Sequence, residues 1–340
     1  MELNRLSTLI KPASGQCNIA CSYCFYIEET KTREVANYGM MTLETAIKLI
    51  DECFFITHSN AEVSFNFQGG EPTLQSIHFY EEFIHYVNKH KQDREIHYSI
   101  QTNGLLINED WIQLFKDNDF FVGISIDGYR SNHNKFRMLT YDIVIKNYRL
   151  LKNHNINVNV LTVLTSILSL NPKKYYDWLI NNEIEYVQLI PNLQGIEPYQ
   201  FFTFYKELYN HIITNNSAIR VGLFDNIESI LNGEYPQQCG MLGHCAMQTV
   251  IEANGHVYPC DFYCLDEFKL GNIHEDSFDI IFKNSRLINF LDKEVLTSVC
   301  LNCPVKQMCH GNCKALRKVF IKEDTCGYQQ LLLHILQGRR

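Results

Sequence analysis

Cys17-Asn18-Ile19-Ala20-Cys21-Ser22-Tyr23-Cys24-Phe25-Tyr26 sets three thiols in a Cys-x3-Cys-x2-Cys spacing shortly after a β-rich run at Leu6–Ile10. A cubane iron–sulfur cluster takes four ligands. Three thiolates leave one iron open, a Lewis-acidic corner that can bind a small molecule and pass it an electron; a four-cysteine cluster is closed and suits electron transfer. The competing assignment is zinc, which intracellular proteins usually hold with paired Cys-x2-Cys units and a fourth Cys or His nearby. No Cys or His follows Cys24 until Cys53.

Outward from this motif the chain alternates short β-rich runs with amphipathic helical stretches, the pattern of parallel β/α units. The runs are Leu6–Ile10, Val63–Phe67, His97–Gln101, Phe121–Ile126, Val158–Leu164 and Tyr186–Ile190. Leu43, Ala46, Ile47, Ile50, Cys53 and Phe54 recur at helical spacing, which predicts a helix with one buried face and makes Cys53 a small core residue. Six units are too few for a closed eight-unit barrel, so an α/β partial (β/α)6 barrel is expected. Chemistry in parallel barrels collects at the C-terminal ends of the strands. Those ends carry Gln68-Gly69-Gly70-Glu71-Pro72, Thr102-Asn103-Gly104 and Asp127-Gly128.

The bulk properties exclude several classes. A length of 340 residues and an apolar fraction of 46% allow a full core and two domains. No run approaches the ~18 apolar residues of a membrane span, and Met1-Glu2-Leu3-Asn4-Arg5-Leu6 lacks the apolar core of a secretory signal, so a cytoplasmic, membrane-free protein is expected. A net charge of −8 argues against nonspecific nucleic-acid binding, which depends on Lys and Arg displacing counterions. A peptide or small-molecule partner is favoured. Of the 13 cysteines, nine fall between Cys239 and Cys326, a clustering that reads as metal sites rather than disulfides.

Cys239-x5-Cys245-x14-Cys260 and Cys300-x2-Cys303-x5-Cys309-x3-Cys313-x12-Cys326 supply the eight thiolates of two fully ligated cubanes, or of two zinc sites. Cys264, His244 and His310 are surplus. Between Cys245 and Cys260, Gln248–Ala253, Asn254-Gly255 and His256–Tyr258 read as a hairpin with a type I′ turn. Phe201–Ile213 reads as an aromatic-rich helix, and Asn226–Leu231 as a short linking helix between residues 1–225 and 226–340.

The three-cysteine motif, followed by Gly69-Gly70-Glu71-Pro72 after the next strand, resembles the radical S-adenosylmethionine (radical SAM) superfamily. The resemblance implies a 4Fe–4S cluster on Cys17, Cys21 and Cys24, with S-adenosyl-L-methionine chelated to its open iron through amino and carboxylate groups. Gly69, Gly70 and Glu71 would meet the amino end of that cofactor, glycine being needed where main chain closely approaches a ligand. Ser125 and Arg137 match positions that contact the ribose and the methionine carboxylate, the latter suited to a two-pronged guanidinium. Tyr23 and Tyr26 either wall the cavity, on the cofactor and substrate sides respectively, or are core aromatics; their spacing does not decide.

The C-terminal cysteine order is similar to the SPASM domain of peptide-modifying radical SAM enzymes. On that pattern Cys239, Cys245, Cys260 and Cys313 hold one auxiliary 4Fe–4S cluster, and Cys300, Cys303, Cys309 and Cys326 a second, making three in all. Ser7-Thr8-Leu9-Ile10-Lys11-Pro12-Ala13-Ser14, Phe67–Leu74, Cys239-Gly240-Met241 and Tyr258-Pro259-Cys260-Asp261-Phe262-Tyr263 look like the anaerobic sulfatase-maturating enzymes. These oxidise a Cys or Ser of a sulfatase to Cα-formylglycine. By that resemblance the cofactor-derived radical removes a Cβ hydrogen, Asp261 takes the thiol or hydroxyl proton, and the remaining electron leaves through an auxiliary cluster. Gln68 lies close to the substrate side chain. Asp261 could instead cap the hairpin through backbone N–H groups, and Asp225 and Glu252 are read as structural. The expected partners are a sulfatase polypeptide or other peptide and an external low-potential donor such as a flavodoxin or ferredoxin, with the enzyme a monomer.

The segment between Ile190 and Arg220 reads as shorter than in such relatives, which bears on substrate identity more than on reaction type. One alternative is a SPASM maturase installing thioether or carbon–carbon crosslinks in a ribosomal peptide. Many of those carry a recognition domain before the first motif, where only sixteen residues stand here. The other is a noncatalytic iron–sulfur or zinc protein, which needs no open iron.

Overall fold

All six β-rich runs form strands in the computed structural model, which describes residues 2–292 and 296–338. They are β1 (Leu3–Ile10), β2 (Thr57–Phe67), β3 (Glu95–Thr102), β4 (Phe121–Ser125), β5 (Asn157–Leu164) and β6 (Tyr186–Pro191). Helices α1 (Phe25–Thr32), α2 (Leu43–Ile56), α3 (Ile77–His90), α4 (Glu109–Asp117), α5 (Arg130–Phe136), α6 (Tyr141–Asn153), α7 (Pro172–Asn181) and α8 (Pro198–Thr214) intervene or follow. Local chemistry sets several starts: Thr42, Ser76 and Asn108 accept from the backbone N–H groups of Thr45, Phe79 and Trp111, capping α2, α3 and α4. The result is an α/β radical SAM-type fold with a mostly parallel sheet. Among the described residues no helix is long and apolar enough to cross a membrane.

The chain divides into two compact units. The first comprises residues 1–125, 142–158 and 247–290. Its sheet runs β1-β2-β3-β4 in parallel, and β1 also pairs in parallel with β8 (Val250–Ile251), which continues antiparallel through β9 (His256–Tyr258) to β10 (Gly271–Asn272). Along β2, Ala61, Val63, Phe65 and Phe67 are buried at the two-residue period of a strand. Phe65 and Phe67 pack edge-on to Phe83 of α3, with ring centroids 5.1 and 5.2 Å apart, and Tyr98 of β3 stacks on Phe120 at 5.2 Å. Each such fully buried ring contributes on the order of 1.5–3 kcal/mol.

The second unit comprises residues 126–141, 159–246 and 291–340. Its parallel strands β5 and β6 are joined by β7 (Arg220–Val221), followed by α9 (Gly222–Leu231). Tyr175 packs on Trp178 and Phe204 here, and Phe201 on Phe320 and Tyr328.

Two local expectations need correction. Ile47 is on the exposed side of α2 at 37% exposure, and Leu49 takes its place on the buried face. The Asn254-Gly255 hairpin is not type I′, which requires positive φ at both central residues. Glu252 N–H donates to His256 O and Gly255 N–H to Glu252 O, both at 2.9 Å, and only Gly255 has positive φ, +85°. The loop is therefore three residues long, a turn closed by a left-handed glycine, because the ladder continues one pair further than the dipeptide alone suggests. Helices Phe201–Ile213 and Asn226–Leu231 are present as parts of α8 and α9.

Register brings the strand ends of the first unit into line. Ile10 pairs with Phe67 and Phe67 with Ile100, and Gln68 N–H donates to Ile10 O at 2.8 Å. Lys11, Gln68 to Glu71 and Thr102-Asn103 consequently leave the sheet side by side at its C-terminal edge.

Candidate functional site

The segment before the cysteines is a pair of tight turns, with Ser14 N–H on Lys11 O (3.1 Å) and Gln16 N–H on Ala13 O (2.9 Å). Cys21 is buried, Cys24 half-buried and Cys17 exposed; Cys24 immediately precedes α1. All thirteen cysteines are free. Asn103, at the end of β3, donates through Nδ2 to Asn18 Oδ1 at 2.7 Å and approaches Cys17 Sγ at 3.6 Å. Tyr23 is half-buried on the same motif.

Gly69 and Gly70 dock against that segment. Gly70 N–H donates to Ser14 O and Glu71 N–H to Gln16 O, at 2.9 and 2.7 Å. A Cβ on Gly70 would lie 2.0 Å from Gln16 O, and one on Gly69, whose φ is +117°, 2.9 Å from Ser14 O. Both contacts are with main chain, so only glycine fits. Glu71 itself is buried. Its Oε1 accepts from Thr73 N and Oγ1 and from Thr102 Oγ1, and its Oε2 from Asn103 N. Burial pushes its carboxyl up while these donors pull it back, leaving it raised. Glu71 thus ties the ends of β2 and β3 together, with one lone-pair site of Oε2 still open. Ser125 ends β4 and accepts from Gln101 Nε2 at 3.1 Å. Arg137, in the second unit, donates through Nε to buried Asp127 at 3.1 Å, and Asp127 accepts in turn from Val163 N–H.

Asp261 is the centre of a buried polar cluster within the first unit. Its Oδ2 accepts from Tyr26 OH at 2.7 Å and Gln68 Nε2 at 2.9 Å, and Gln68 also donates to Tyr26 OH at 3.0 Å. Its Oδ1 faces Lys11 Nζ at 3.1 Å. Lys11 Nζ further meets Cys264 Sγ at 3.2 Å, Glu29 at 3.5 Å and Glu252 at 3.7 Å, and sits 4.5 Å from the centroid of the Tyr26 ring. Arg33 pairs with Glu252 at 2.7 Å and Glu29 at 3.5 Å, and donates to Cys264 O. Burial opposes the charge on Lys11, yet Cys264, Asp261, Glu29 and Glu252 together hold its pKa well above the usual range. Of these groups the sequence singles out Asp261, Tyr26 and Gln68. Lys11, Glu29 and Arg33 escape it, Cys264 is set aside as surplus and Glu252 as structural. The available signal is a lysine inside the apolar run Leu9-Ile10-Lys11-Pro12-Ala13.

Glu29 carries a testable pH dependence. Burial raises its carboxyl to about 7, Asp261 and Glu252 adding repulsion and Lys11 and Arg33 opposing it. A carboxyl raised above its ordinary 4.5 stabilises the folded chain fully below 4.5, and that contribution is lost as pH climbs to about 7. Urea titrations should show Glu29→Gln gaining on the wild type between pH 4.5 and 7 by a few kcal/mol, at ~1.4 kcal/mol per unit of displacement, then levelling. A stability difference that is flat with pH would contradict this assignment.

In the second unit, Cys300, Cys303, Cys309 and Cys326 line one small cavity together with Lys306 and Gln329. Four thiols on one cavity are the donor set of a closed cluster. Cys239, Cys245 and Cys313 also belong to this unit, with Cys239-Gly240 packed on the Cys313 backbone, whereas Cys260 belongs to the first. His244 and His310 are exposed.

The sequence pattern of the Radical SAM superfamily matches residues 12–179, and that of the iron-sulfur cluster-binding SPASM domain residues 243–304. The chain is 37% identical over 333 residues to the cysteine-type anaerobic sulfatase-maturating enzyme of Clostridium novyi, covering 92% of this chain and 88% of that one. It is 27% identical over 341 residues to the serine-type anaerobic sulfatase-maturating enzyme of Bacteroides thetaiotaomicron, covering 91% and 82%. The solved structure "Native anSMEcpe with bound AdoMet and Kp18Cys peptide" matches with a TM-score of 0.88 at 30% identity over 98% of each chain.

Proposed function

This chain belongs to the anaerobic sulfatase-maturating enzymes of the radical SAM superfamily, and from that membership we propose that it oxidises a Cys or Ser side chain of a sulfatase polypeptide to Cα-formylglycine. Cys17, Cys21 and Cys24 would hold a 4Fe–4S cluster with one iron open, and Tyr23, Gly69, Gly70, Glu71, Ser125 and Arg137 would line S-adenosylmethionine. The three thiols on one turn and the all-backbone docking of Gly69 and Gly70 beside it fit that cofactor pair. Bound there, the pair supplies reductive cleavage of the sulfonium and, through it, removal of a Cβ hydrogen from the substrate.

The protein's own contribution is to hold the peptide side chain and take its proton. Asp261 would accept the thiol or hydroxyl proton at a carboxylate oxygen. Tyr26 and Gln68 would present it to the substrate. The observation that carries this reading is their shared grip on Asp261: Tyr26 stands two residues past Cys24 and Gln68 immediately before Gly69-Gly70, so the proposed base is tied to both cofactor-holding segments. We assign residues 226–340 as the extension bearing two auxiliary 4Fe–4S clusters, Cys239, Cys245, Cys260 and Cys313 on one and Cys300, Cys303, Cys309 and Cys326 on the other. A flavodoxin or ferredoxin would supply low-potential electrons to a monomeric enzyme.

The test is direct. Reduced, reconstituted enzyme is incubated anaerobically with S-adenosylmethionine and sulfatase-motif peptides carrying Cys or Ser. The expected mass loss is about 18 Da from Cys or about 2 Da from Ser, as each oxidation to the aldehyde demands. Both peptides remaining unchanged while 5′-deoxyadenosine accumulates would remove the reading.

A further inference from the structure

We propose that Lys11 is a positioning residue for Asp261, locking rotation of the carboxylate through a buried ion pair on the oxygen that Tyr26 and Gln68 leave free. The inference rests on the reading of Asp261 as the base. An aspartate's terminal torsion is soft. With Oδ2 held by two donors, the carboxylate can still swing about that oxygen, and among the described residues the only polar group facing Oδ1 is Lys11 Nζ at 3.1 Å.

Lys11 is well fixed for this role. It leaves β1 one residue past the Ile10–Phe67 pair, and its own N–H donates to Ile251 O at 2.8 Å, on the strand that opens the hairpin leading to Asp261. Glu29, Glu252 and Cys264 surround its ammonium, and Arg33 braces both glutamates from the far side. Three N–H donors thus meet a ring of acceptors inside the protein, where stranding any charge is expensive. Lys11 has one direction to point.

A purely structural role, offsetting Glu29 and Glu252, makes a different prediction. Lys11→Met alone leaves surplus buried negative charge and risks misfolding. Lys11→Met/Glu29→Gln removes one positive and one negative group together, so the charge balance is kept.

The double variant should fold, with a melting temperature close to wild type. It should still release 5′-deoxyadenosine, but form ~tenfold less aldehyde per 5′-deoxyadenosine, the fall lying in kcat with KM for the peptide unchanged. Its crystal structure should keep Asp261 Oδ2 on Tyr26 and Gln68 and show Oδ1 turned from its wild-type direction. A folded double variant with the wild-type product ratio would overturn the proposal, as would a double variant that fails to fold. Asp261→Asn measured beside it separates the two ideas: normal aldehyde there sinks the base itself, whereas loss there with a normal double variant sinks only the role of Lys11.

Discussion

Asn in place of Asp261 is expected to cut formylglycine formation by roughly 10²–10⁴-fold while 5′-deoxyadenosine is still released. The amide is nearly isosteric with the carboxylate, and its oxygen can still accept from Tyr26 and Gln68. It cannot take up a proton at neutral pH. Substrate binding and cofactor cleavage do not need that proton transfer, so the two products should separate: the nucleoside persists and the aldehyde does not. The substitution also leaves Lys11 with Glu29, Glu252 and Cys264 as its remaining acceptors, enough to keep its ammonium paired. A general loss of folding would lower both products together, so the ratio of aldehyde to nucleoside is the quantity to measure. A wild-type ratio would take Asp261 out of the mechanism.

Much of this site is legible along the chain because its parts are local. Cys17, Cys21 and Cys24 fall within eight consecutive residues, Gly69-Gly70 follows a period-two strand, and the hairpin before Cys260 carries its Asn-Gly turn. The strands are legible for the same reason, since alternation along β2 is written residue by residue. The Asp261 cluster is different. Residues 11, 26, 29, 33, 68, 252, 261 and 264 meet only because β1 pairs with both β2 and β8. No local period announces such a meeting, and an isolated Lys, Glu or Arg ordinarily reads as a solvated surface residue. Asn103 is a parallel case: Thr102-Asn103-Gly104 marks a strand end, but its reach to Asn18 appears only once β3 lies beside β2. Ile47 shows the converse limit. Helical spacing admits either Ile47 or Leu49 to the apolar face, and packing chooses Leu49.

Removing the three N-terminal thiols should have the other large effect. Ala at Cys17, Cys21 and Cys24 together deletes the whole proposed donor set of one cluster, and nothing nearby replaces it: after Cys24 the next Cys or His in the sequence is Cys53, which is fully buried in α2. The C-terminal cysteines are untouched, and four of them line their own cavity in the second unit. Iron should therefore fall from about twelve to about eight per chain after anaerobic reconstitution, four per lost cubane. Gly69 and Gly70 still dock on residues 14–16 through main chain alone, so the fold around the site should hold.

The decisive measurement is 5′-deoxyadenosine released from S-adenosylmethionine by this reduced triple variant beside the wild type. Release by the wild type and none above background from the variant is the expected result; equal release from both would contradict an open-iron cluster on Cys17, Cys21 and Cys24.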